Sequence, residues 1–311
     1  NTESSLDIES LIKKFIFIFV LLLPFSYSAQ VDQKQPIKIP FTLTEYNNIA
    51  VAAIFNQRDT ATLMFHIAVD EVSTTIASEK KLSSIEWSTT DTAQSWGGKS
   101  ISKRSVNNNL QIGSLQWDSI RVTQSLHSGL KTDGKFGPNI FNANYYEINF
   151  DSNQIIIHSQ LPTYTVNFQS TELLQKGGYY FINGSILLAD ESINNSFMLH
   201  SGYSSALLLD DKFANQNSLS EKLSILSESK LLDSFGNVFK TKKTKVEGFT
   251  LGTTTLKMVP TSFFEGAIRN QKYSVVGMDV LKRFNLIFDL KENRLYFQEN
   301  TKSDAVFKDD L

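Results

Sequence analysis

The chain has 311 residues, a formal net charge of −2, four histidines and no cysteine. The near-zero charge leaves no electrostatic footprint for nucleic acid, and the lack of cysteine excludes disulfides and an anchor attached through a leader cysteine, so stability must come from core burial. The first element is Lys13-Lys14, followed by the apolar run 15–25 and the small-residue stretch Ser26 to Ala29. That layout predicts a secretory signal peptide over residues 1–29, its apolar core well short of the roughly 20 residues a transmembrane helix needs. Export to the periplasm or the extracellular space is expected, with no membrane association once the leader is removed.

About 280 residues then remain, enough for two lobes with their own cores. Ile37 to Leu43 alternates apolar and polar residues, and the apolar run Ile49 to Phe55 follows across a short Asn47-Asn48 turn, which predicts strands. The apolar run Ala61 to Phe65 leads into His66-Ile67-Ala68. The polar stretch Ser83 to Asn109, with Trp87, Trp96 and Gly97-Gly98, can hold a surface hairpin. A glycine-led strand, Ile112 to Val122, follows. Leu161-Pro162 marks the expected boundary between lobes at 30–162 and 163–311.

The second half repeats the order. Tyr179 to Leu188 precede Asn195 to Leu199, which lead into His200-Ser201-Gly202, and a later glycine-led strand spans Leu251 to Val259. Lys240-Thr241-Lys242-Lys243-Thr244-Lys245 reads as a solvated hairpin tip. Helical patterning is sparse, with short candidates at 211–215, 220–223 and 280–284, the last able to use Asp279 as a cap. Gly137 and Gly277, like Asn153 and Asn293, stand 140 residues apart, while His66 and His200 stand 134 apart. Landmarks repeating at nearly one spacing indicate an internal duplication in a mostly β chain. Trp87, Trp96, Trp117, Tyr145, Tyr146, Tyr179 and Tyr180 lie near loops or strand ends, and most are expected to pack cores and rims.

These segments resemble the bilobal aspartic proteases, and more closely the bacterial exported members of the retropepsin-like group, over nearly the whole mature chain. Val275 to Asp289 matches the closing hydrophobic-Gly-x-Asp-x-Leu element, and Leu199 to Leu209 matches the apolar-Asp-Thr-Gly-x-Ser element, with Ser201, Gly202 and Ser204 at the last three defined positions. The resemblance implies two barrel-like lobes, a ligand cleft between them and a flap hairpin within Ser83 to Asn109. It also implies a dyad of aspartates, yet His66 and His200 stand at those two places. Ile67 replaces the threonine whose hydroxyl would brace the lobes, and Ala68 replaces a glycine.

Three readings follow. In the first the chain is a non-proteolytic relative holding an extended peptide or protein segment in the cleft, with His66 and His200 kept as hydrogen-bonded interface residues. In the second His66 and His200 act as acid and base of a peptidase, and Ser201 is the one hydroxyl worth singling out as a further catalytic candidate. In the third a metal binds, but zinc usually takes three or four protein ligands. Asp70 and Glu71 would complete a site only if their loop folded back, His127 sits in a polar loop, and His158 reads as a surface strand terminus. The working expectation is therefore no metal and no other cofactor.

Overall fold

Apolar runs and alternating stretches put side chains into a core and make more than half of the described residues strand, with Val72–Thr75 and Phe284–Asp289 buried on both faces. The computed structural model describes residues 35–95, 98–232, 238–264 and 272–308; the expected leader, residues 1–29, and Trp96 and Gly97 lie outside them. The first half contains β1 (Ile37–Pro40), β2 (Thr42–Leu43), β3 (Ile49–Phe55), β4 (Asp59–Phe65), β5 (Val72–Thr75), β6 (Thr89–Ser95), β7 (Gly98–Ile112), β8 (Leu115–Ser125), β9 (Gly134–Phe136), β10 (Tyr145–Asn149) and β11 (Gln154–His158). The second contains β12 (Gln169–Glu172), β13 (Leu174–Lys176), β14 (Tyr179–Leu187), β15 (Ser192–Leu199), β16 (Leu207–Leu209), β17 (Ser227–Leu232), β18 (Val238–Leu251), β19 (Thr254–Phe264), β20 (Ser274–Val276), β21 (Phe284–Asp289) and β22 (Arg294–Glu299).

The duplication is explicit in the topology. One eight-stranded sheet runs β2-β3-β4-β9-β5-β8-β7-β6 and the other β13-β14-β15-β20-β16-β19-β18-β17, so each strand of one has a counterpart in the other. A six-stranded sheet, β1-β11-β10-β21-β22-β12, takes three strands from each half and reads as a palindrome under the same correspondence. Its centre is the antiparallel pair β10–β21, where Tyr146 stacks on Phe288 at 4.4 Å and 8°. The main core runs through both halves and includes Phe65, Phe136, Phe197 and Leu199, all fully buried. This is a mostly β, two-lobed architecture with barrel-like sheets and short helices.

Several local expectations change. Ile37 to Leu43 splits at Pro40 into β1 and β2, which join different sheets. Lys240 to Lys245 is not a hairpin tip but the middle of β18, paired to β17 on one side and β19 on the other. Its threonines are the reason: Thr241 and Thr244 are buried, and Thr244 Oγ1 donates to the Ser224 carbonyl at 2.8 Å. The helices are α1 (Asp211–Gln216), α2 (Leu219–Lys222) and α3 (Met278–Leu281). Asp279 does not cap α3, because Gly277 holds that position; its buried carboxylate meets Lys282 Nζ at 2.6 Å and accepts from the Lys308 amide at 2.7 Å. Gly113 and Gly252 do not lead their strands but make the preceding hairpin turns, at φ 58° and 57°.

Candidate functional site

The site is built from two equivalent strand ends. Side chains alternate along β4, so Phe65 enters the core while Met64 and His66 point to the opposite face. The His66 amide donates to the Phe136 carbonyl of β9 at 2.9 Å, and the His200 amide donates to the Val276 carbonyl of β20 at 3.0 Å. Each histidine carbonyl then accepts from the residue three further on, Val69 at 3.3 Å and Tyr203 at 3.1 Å. The two turns thus present their imidazoles alike, and the ring centroids meet 4.6 Å apart at an interplanar angle of 66°.

His66 is buried, and its Nδ1 accepts the Ala68 amide at 3.1 Å. The neutral ring therefore carries its proton on Nε2. That nitrogen abuts Gly202, where a Cβ would lie 2.2 Å away, so glycine is required by close approach rather than by backbone conformation. Loss of water pushes the pKa of His66 well below 6.5, and the neighbouring His200 and Lys135 push it further in the same direction. His200 is brought down to about 4, again chiefly by desolvation with a smaller push from Lys135. Both imidazoles are neutral at pH 7.

Ser201 ties the lobes together. Its Oγ accepts the Ile67 amide at 2.8 Å and donates to the Phe65 carbonyl at 3.2 Å. The reciprocal hydroxyl is absent because Ile67 is an apolar core residue. The Ser201 hydroxyl is thereby engaged with the first lobe's backbone, which leaves it poorly disposed as a nucleophile. Asn47 adds a second tie, donating to the Ser204 carbonyl at 2.8 Å and accepting from Lys282 Nζ at 3.1 Å.

The other candidates lie elsewhere. Asp70, Glu71 and His127 are exposed, and among the described residues no three His, Asp or Glu side chains come together as metal ligands. His158 ends β11 as expected, yet its imidazole is inside, bonding the buried Glu147 carboxylate at 3.0 Å; Glu147 also accepts from Tyr164 OH at 2.5 Å. A cavity of about 410 Å³ beside Ala52, Thr60, Lys81 and Gln111 includes neither His66 nor His200.

One residue the motifs did not flag belongs here. Lys135 on β9 is buried, and its charge reaches both histidines. The signal was available: the duplication maps it 140 residues onward to Val275, a cationic residue against an apolar one.

No family model and no curated protein matches the chain. Among solved structures it is similar to the aspartic proteinase from Irpex lacteus, with a TM-score of 0.58 over 87% of this chain and 99% of that one. The fold is pepsin-like. At 12% identity the likeness concerns the fold, and the chemistry of the site must be argued from its own residues.

Proposed function

We propose that the chain is a non-proteolytic relative of the aspartic proteases that binds an extended peptide, or a similar ligand, between its lobes. The observation that carries this reading is the pair of neutral histidines facing each other at the strand ends where that family's pattern has aspartates. Two close carboxylates cannot both ionise cheaply, so they share a proton and supply acid and base together. Two desolvated imidazoles do not. Near neutral pH neither is a cation able to polarise a carbonyl. With its pKa near 4 rather than 6.5, His200 is also a base weaker by roughly 3 kcal/mol than an ordinary histidine.

Loss of that chemistry leaves the means of binding. Among the described residues each eight-stranded sheet ends in a strand paired on one side only, β6 in one and β17 in the other, and an extended segment can add to such edges through its backbone. The basic, apolar and small-residue order of the leader supports export, and the Val275 to Asp289 match supports placing the chain with the exported retropepsin-like group. A broad peptide array incubated with the mature protein at pH 7 is expected to show saturable binding and intact peptides. Failure of every peptide to saturate would remove the binding reading.

The 4.6 Å approach of the rings favours a second reading, a peptidase working in acid. Near pH 4 His200 gains its proton, and its charge then opposes protonation of His66, which sets an acid and a base side by side. Cleavage would then peak in acid and vanish in both His66→Ala and His200→Ala; cleavage surviving both changes refutes it.

A further inference from the structure

β17 reads Ser227-Glu228-Ser229-Lys230-Leu231-Leu232 and closes the second lobe's sheet, pairing with β18 over all its residues and with no other strand among the described residues. Side chains alternate along it. Ser229 and Leu231 are half-buried, and Leu231 packs against the separate apolar cluster around Phe181 and Phe264. Glu228, Lys230 and Leu232 point the other way and are exposed. Leu232 is 59% exposed, Leu226 directly before the strand is 62% exposed, and Val238, opposite Leu232 on β18, is 56% exposed. Apolar surface therefore gathers along this edge.

The charges on the outward face are unbalanced within one chain. Lys230 stands directly across from the exposed Lys240 of β18, and like charges in that position are destabilising. Glu228 stands across from Lys242, so both charged residues of β17 have a cation on the inner side. An edge lysine ordinarily deters strand addition, because an incoming strand must bring an opposite charge to meet it. β17 carries that charge itself. Laid antiparallel on its own copy about Ser229, it sets Ser229 against Ser229, Glu228 against Lys230, Lys230 against Glu228 and Leu226 against Leu232. Each residue meets a complementary one, which is the condition for a two-fold, isologous contact. The register is also singular. A slip of one residue would turn the exposed face of one copy to the inward face of the other, and a slip of two would set Lys230 on Lys230 or Glu228 on Glu228.

We infer that β17 is a self-association edge, at which two copies of this chain pair antiparallel about Ser229 and join their second-lobe sheets into one. A second copy fits better than an acidic segment of another protein, because Glu228 as well as Lys230 then finds a counter-charge and both exposed leucines are covered. A single strand pair lies at the small end of specific interfaces, so association at roughly micromolar concentrations is expected. Occupation of β17 leaves β6 to a ligand. The inference thus goes beyond the peptide-binding reading and does not depend on it.

Sedimentation equilibrium of the protein from about 5 to about 300 µM reads the association directly. The parent should pass from monomer to dimer across that range. Glu228→Lys and Lys230→Glu each set like charges at both cross-strand positions and should weaken the dimer at least about tenfold. Mixing the two variants restores both opposite-charge pairs, so a one-to-one dimer should form from chains that do not associate alone, and the double variant should dimerise like the parent. A melting curve for each variant establishes that it is folded. A parent still monomeric at about 300 µM, single variants that dimerise like the parent, or a mixture that fails to associate would each overturn the inference.

Discussion

At the residue scale the site depends on two small contacts. Gly202 has no room for a methyl group beside His66 Nε2, so Gly202→Ala must displace the ring or the turn. A cost of about 1–3 kcal/mol is expected from overpacking of this kind, read as a lower urea midpoint. Ser201→Ala leaves the Ile67 amide buried without its acceptor and should cost a similar about 1–3 kcal/mol, while Ser201→Thr, which keeps the hydroxyl, should cost less. Equal stability of Ser201→Ala and the parent would mean that this tie contributes nothing. The histidines also set a pH dependence. Their folded pKa values lie below the ordinary 6.5, so between that value and about 4 the unfolded chain binds protons that the folded one refuses. Stability is therefore full above 6.5 and falls as the pH drops through this window. Replacing both rings by Gln should flatten urea midpoints between pH 7 and 5; an unchanged slope would mean that the rings are not desolvated.

At the element scale, many strands were legible and their limits were not. The pattern of apolar runs and turn signals located β3, β4, β8, β14, β15 and β19, but not the short or polar strands β5, β12, β13 and β17. It could not show that Pro40 divides one run between two sheets, since that depends on partners 114 to 120 residues away, Gln154 to Ile157. It also misplaced Lys240 to Lys245, where charge suggested a tip and buried threonines made a central strand. The turn glycines carry a sharper prediction. Gly113 sits at φ 58° with only Ile39 nearby, so Gly113→Val is a test of backbone strain alone. It should cost about 1–2 kcal/mol, and Gly113→Asn clearly less. Equal losses for Val and Asn would show that the turn does not hold that conformation.

At the scale of the whole molecule, duplication organises both structure and function. The 140-residue spacing announced two related halves, and the matching sheet orders and palindromic shared sheet realise it. The sequence pattern also picked out His66 and His200, but their approach to 4.6 Å is a property of two lobes meeting, which no local pattern encodes. Lys135 escaped notice because a lysine in the polar, glycine-rich stretch Thr132 to Gly137 looks like a solvated loop residue until the strand beside it is known. The central claim is that this meeting point holds ligand without cutting it. The most direct measurement incubates the protein at pH 7 with a peptide that it binds saturably and then weighs the peptide by mass spectrometry. The peptide should be recovered intact; fragments that form with the parent and disappear with His66→Ala and with His200→Ala would contradict the account.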